Sequence, residues 1–132
     1  MLIEQALITF FKAQSGITDL VSSRIHFVKA PQDIAKPYLI IIKISSPRDH
    51  THDGASGLAH PRFQFSAFAT TYSEAKEIIA AVQAALQGYS GIMGGDGGVY
   101  VNGCFYDDEN DFYETETNLY HVSADYILWH RE

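Results

Sequence analysis

The sharpest constraint in this chain is a change of hydrophobic period within one stretch, RFQFSAFATTYSEAKEIIAAVQAALQG, residues 62–88. Over residues 62–69 the apolar positions alternate, with Phe63, Phe65, Ala67 and Ala69 on one side, as a half-buried strand requires. The period then becomes helical. Ala75, Ile78, Ile79, Val82 and Leu86 form one stripe. Thr71 and Glu74 have the spacing of a capping box, in which hydroxyl and carboxylate each satisfy one orphan N–H at the helix start. Gly88 supplies a left-handed stop. A strand and a helix this close, each apolar on one side, point to a helix layer packed on a sheet.

The flanking sequence extends the pattern. Leu2, Ala6, Leu7, Phe10 and Phe11 recur at helical spacing up to Gly16, and a short second turn covers residues 17–22. Residues 24–29 (RIHFVK) alternate as a strand, and two prolines break the stretch 30–37. The β-branched run 38–44 (YLIIIKI) reads as a central strand. With Lys43 marking its wetter side, Tyr38, Ile40, Ile42 and Ile44 are expected to face the core, leaving Leu39 and Ile41 for a partner element or subunit. Residues 45–60 (SSPRDHTHDGASGLAH) show no period and read as a loop. Seven of the ten glycines fall within 88–103, which reads as a flexible connection instead of a packed layer. Strand character returns over 99–106, with a bulge expected at Gly103, and over 119–130, where Tyr120, Val122, Ala124, Tyr126 and Leu128 share a face. The acidic stretch 107–116 (DDENDFYETE) lies between them and reads as a solvated hairpin. The expected fold is therefore α+β, an antiparallel or mixed sheet of about five strands with two main helices mostly on one face. Its 132 residues make one domain, 1–132.

Composition removes several classes of function. A 46% hydrophobic, 13% aromatic chain is too apolar for disorder. Nine Lys and Arg against sixteen Asp and Glu give a net charge of -7, and the nine are scattered singly, which opposes a grip on nucleic-acid phosphates. Cys104 is the single cysteine, so there is no internal disulfide and no cysteine-cluster zinc site; between Gly103 and Phe105 it reads as a small core residue. The first residues lack a basic n-region, and Glu4 and Lys12 interrupt the apolar run, so neither a signal peptide nor a membrane span is expected and a reducing cytoplasm suits the chain.

No constellation carries clear chemistry. His50, His52, Asp53 and His60 are residue types that zinc takes, but Asp53 follows His52 directly and a glycine-rich loop lacks the second shell that orients ligands. They define the alternative reading, a small-ligand or metal-dependent enzyme. The acidic stretch fails as an EF-hand, which counted from Asp107 requires Gly at Phe112 and Glu at Asn118. The run YSGIMGGDGG follows a helix instead of preceding one and lacks a closing Lys-Ser or Lys-Thr, so it is no phosphate cradle. There is no Gly-x-Ser-x-Gly elbow, and Trp129 with Tyr126 reads as a core or interface anchor. No cofactor and no catalytic residue is expected.

Three segments carry a resemblance. RIHFVKAPQDIAKPYLIIIKIS, RFQFSAFATTYSEAKEIIAAVQAALQGYSG and FYDDENDFYETETNLYHVSADYILWHRE, in this order, resemble the tail-completion (tail-terminator, head-tail joining) proteins of long-tailed bacteriophages and prophages. The most specific piece is Arg24, Ile25, Ala30, Pro31, Gln32, Pro37 and Tyr38, supported by the closing Trp129, His130, Arg131 and Glu132. The resemblance implies structural work and no catalysis: a subunit of a homo-oligomeric ring, commonly a hexamer, that caps the tail tube and meets the head connector protein. It places the protein in the virion tail, and in the host cytoplasm during assembly. DNA then passes without specific binding, and no membrane is involved. Interface residues come from the reading of the chain itself: Leu39, Ile41, Arg48, His50, His52, Asp107, Asp108, Glu109, Asp111 and Trp129, with the 45–60 stretch as an arm reaching a neighbour. The acidic 107–116 stretch is expected to form a lumen that repels phosphates or a docking rim.

Overall fold

A computed structural model describes residues 1–46, 48–51 and 54–131, without the side chains of 48–51 and 54–56. The element order is α1 (Ile3–Lys12), α2 (Ser15–Val21), β1 (Ile25–Phe27), β2 (Tyr38–Ser45), β3 (Arg48–Thr51), β4 (Gly54–Ala59), β5 (Arg62–Ala69), α3 (Tyr72–Leu86), β6 (Gly91–Met93), β7 (Val99–Glu114) and β8 (Leu119–Arg131). The fold is α+β with a mixed sheet: β1 runs parallel to β2, and the other pairings are antiparallel.

The period switch folds as expected. Phe63, Phe65, Ala67 and Ala69 of β5 are fully buried, and so is the α3 stripe apart from a trace of exposure at Ile79. Thr71 Oγ1 accepts from the Glu74 N–H at 3.2 Å, and Gly88 has φ +73°. In α1 the buried residues are Ile3, Ala6, Leu7 and Phe11, whereas Leu2, expected on the stripe, sits at the N-cap and is 72% exposed. The Phe11 ring meets Phe65 at 5.2 Å, tying α1 to the face of β5 that α3 also contacts.

The sheet follows the path β1-β2-β5-β8-β4-β3, with β7 on β8 and β6 on β7. Among the described residues it has eight strands where about five were expected. The additional three, β3, β4 and β6, lie in segments without alternation, because their strand geometry comes from backbone pairing and not from a side-chain pattern. The expected 45–60 loop is thus largely a hairpin: β3 pairs β4, and β4 pairs β8 through Leu58 with Arg131 and Ala59 with His130. The glycine-rich connection is also packed in part. Met93 is fully buried, and a Cβ at Gly94 would stand 2.8 Å from the Ala6 Cα, so glycine there permits close approach to α1.

The faces of β2 are the reverse of the expectation. Leu39 pairs with Ala67, Ile41 with Phe65 and Lys43 with Phe63, so these three share the core side, and Leu39 and Ile41 are fully buried. Neither is available to a partner subunit. Lys43 misled because it closes the core face at its rim, where its ammonium meets the Glu4 carboxylate of α1 at 2.6 Å and lies 5.9 Å from the Phe63 ring centroid. Ile44, on the other side, is 49% exposed.

Candidate functional site

Two surfaces of the sheet carry more than packing requires. The first is the β7–β8 hairpin. Strand β7 pairs β8 from Val101 to Glu114, with register shifts between Val101 and Gly103 and between Tyr106 and Asp108. The first matches the bulge expected at Gly103. The second leaves Asp107 as the extra residue and resets the alternation, so that Glu109 and Asp111 lie opposite Ala124 and Val122 on the α3 side while Asp108 and Asn110 lie opposite Asp125 and Ser123 on the other.

That phase change puts the acidic run in contact with cations. Lys76 Nζ of α3 lies 2.6 Å from Glu109 Oε2 and 3.2 Å from Asp111 Oδ1. The hydrogen bond to Glu109 foremost raises the Lys76 pKa. Tyr72 O–H donates to Asp111 Oδ2 at 2.7 Å, and this bond leads in holding the Asp111 carboxyl below its ordinary value. Arg62 of β5 pairs with Asp107 and, at 3.2 Å, with Asp125 Oδ2. Asp108 turns to its own strand, accepting from the Glu109 N–H at 2.9 Å and from Asn110 Nδ2 at 3.2 Å. Sequence reasoning foresaw the carboxylates but not Arg62 and Lys76, which lie 45 and 33 residues from Asp107 and Glu109 and carry no local signal.

Across β7 the exposed residues are also aromatic. Phe105 and Tyr106 are 56% and 53% exposed, and Phe112 and Tyr113 are 51% and 50% exposed. Strand β6 covers only Val99, Tyr100 and Val101, so among the described residues the outer edge of β7 from 102 to 114 has no strand beside it. A long unpaired edge bearing large exposed rings is the type of surface on which another chain can pair.

The second surface is the sheet face opposite the α3-packed side. There Tyr38, Phe68, His121 and Phe112 line up across β2, β5, β8 and β7 as directly paired residues. Tyr38 stacks on Phe68 at 5.0 Å, Phe68 on His121 at 4.2 Å, and Phe112 lies 5.4 Å from His121. Burial lowers the His121 pKa, which keeps the ring neutral within this row. Beyond it, Ser66 and Ser123 are paired and buried, and Asp125 is 9% exposed. At the far end, Leu58, Asn102, Gly103, Phe105 and Trp129 line a mostly apolar cleft of about 540 Å³.

The remaining site expectations separate. Trp129 is half-buried, and its ring stacks on His60 at 4.2 Å, so these two meet although the sequence assigned them to different roles. Arg48 and His50 lie on β3 by backbone, and His52 and Asp53 lie outside the described residues. Among the described residues no group of three or more His, Cys, Asp or Glu is arranged to hold a metal ion. Cys104 is a core residue as expected, and burial pushes its thiol pKa up to about 12, which disfavours the thiolate. No helix among the described residues is long and apolar enough to cross a membrane.

Comparison with known proteins adds to this geometry. The family model described as Tail completion protein gp17 matches residues 5–131. No curated protein matches by sequence. Among solved structures, a chain of "Virion of native gene transfer agent (GTA) particle" superposes with a TM-score of 0.80 at 17% identity, covering 97% of this chain and 94% of that one. At that identity the likeness is one of fold.

Proposed function

Since the chain belongs to the tail completion protein gp17 family, a family of structural virion proteins, we propose that it caps the finished tail tube as a homo-oligomeric ring, six-fold as the resemblance implies, and offers the head connector protein its docking surface. The family match over nearly the whole chain carries this reading. The similar chain of the gene transfer agent particle supports it, since that chain of the same fold belongs to a virion.

The surfaces suit such work better than catalysis. An aromatic, charged strand edge and an apolar cleft are contact surfaces, while the thiol is buried and the described polar groups converge on no pocket with a nucleophile and base. The net charge of -7 suits a ring through which DNA passes without specific binding, because an acidic wall repels phosphate. The assembled protein belongs to the virion tail and enters it from the host cytoplasm. Particles produced without this chain are expected to show tails separate from filled heads, with joining restored by purified protein. Fully joined, infectious particles in its absence would overturn the reading.

A further inference from the structure

Where β8 pairs both β5 and β7, the strand order is β1-β2-β5-β8-β7, so β1 and β7 are the opposite edges of one sheet. Four inter-strand spacings of about 4.8 Å put those edges roughly 19 Å apart, out of each other's reach within one molecule. Their charges differ in sign. The 107–116 segment carries six carboxylates, which among the described residues pair with the cations Arg62 and Lys76. The β1 edge and the segment after it, residues 24–36, carry Arg24, Lys29 and Lys36 with one acid, Asp33. Lys29 and Lys36 are exposed, and Val28 beside them is 71% exposed.

We propose that, in the ring inferred above and resting on that reading, the β7 edge of one copy docks on the basic β1 edge of the next. Two physical points select a second copy as the occupant. Pairing β7 with β7 about a two-fold axis would bring two acidic runs together, so the charge pattern opposes the symmetric dimer that long exposed edges otherwise favour. A contact between two different edges is heterologous, leaves each copy of a pair with one edge unused, and closes when the rotation per subunit completes a circle. The half-exposed ring of Phe112 then gains an apolar neighbour in Val28, and Asp108, Glu114 and Glu116 gain Lys29 and Lys36.

The test uses the full chain as equal parts unlabelled and nitrogen-15-labelled protein, both concentrated in solution and bound to tail tubes. A zero-length carbodiimide joins amines to touching carboxylates, and only mixed-isotope peptides report links between copies. The expected links run from Lys29 or Lys36 of one copy to Asp108, Glu114 or Glu116 of another. Asp108→Lys with Glu114→Lys leaves Lys29, Lys36 and Glu116 able to react and is expected to lower the yield of links to Glu116 about tenfold or more. Mixing that variant with Lys29→Glu, Lys36→Glu restores links between the two variants only. Links that join other surfaces, links that survive the charge reversal, or no inter-copy links in either preparation overturn the docking. Rings seen on tube ends by electron microscopy, together with such a result, leave the ring reading standing, whereas tubes with bare ends remove it as well.

Discussion

Truncating Ile41 to Ala removes three carbons from a side chain that is fully buried between Phe65 on β5 and Phe27 on β1, its paired neighbours. At about 0.8 kcal/mol per buried methylene the transfer loss alone is about 2.4 kcal/mol. An unrelaxed cavity adds to that, giving about 2.5–5 kcal/mol in all. Against a total stability of about 5–15 kcal/mol, this is a severe change. At about 4 °C per kcal/mol for a chain of this length, the midpoint of thermal unfolding drops by about 10–20 °C. The matched control is Ile44→Ala, on the opposite side of β2 and 49% exposed, with an expected change within about 0.5 kcal/mol. Urea unfolding of both variants followed by circular dichroism, with the slope checked for constancy, separates them. A near-neutral Ile41→Ala together with a costly Ile44→Ala would refute the β2 register and return Leu39 and Ile41 to the partner-facing side.

Other perturbations read different parts of the structure. Thr71→Ala should cost about 1 kcal/mol by orphaning the Glu74 N–H, measured by the same urea titration, and no loss would mean that the cap is not formed in solution. His121 has a lowered pKa in the fold, so the unfolded chain takes up its proton first and stability falls as pH drops below about 6.5; His121→Phe, which keeps a ring against Phe68 and Phe112, should flatten that loss in melting scans from pH 7 to 5. Gly94→Ala should destabilise more than Gly95→Ala, since both have positive φ but only the first meets the Ala6 backbone, and equal melting points would contradict that approach. Native Cys104 should resist iodoacetamide at pH 8 and react once unfolded; rapid native labelling would show that β7 opens.

What the sequence disclosed follows from where local pattern and tertiary demand agree. The 62–88 segment was legible because its two periods, its cap and its stop all act on neighbouring residues. The hairpin of β7 and β8 was legible in part, including the bulge near Gly103, but the expected strand stopped at residue 106 whereas β7 stays paired with β8 to Glu114. Strands β3, β4 and β6 were not, since a Gly-, Ser- and His-rich stretch becomes a strand only when a partner lies alongside. The inverted faces of β2 have a more particular cause. Five consecutive apolar residues from Leu39 to Ile42 and Tyr38 offer no phase of their own, and Lys43, the one polar marker, sits on the core side because Glu4 of α1 receives its charge. The same blindness to distant partners hid Arg62 and Lys76 from the acidic run. Lysine substitutions at Asp107, Glu109 or Asp111 therefore break ion pairs within the subunit as well as altering its surface, and Asp108 is the cleaner position for probing contact.

The central claim is that this chain completes a tail by closing its end. Cryo-electron microscopy of purified tail tubes mixed with the protein tests it most directly. The account predicts one ring of copies of this α+β fold at a single end of each tube, the end that meets the head. Protein spread along the tube wall, or tubes whose ends stay bare at saturating protein, would contradict it.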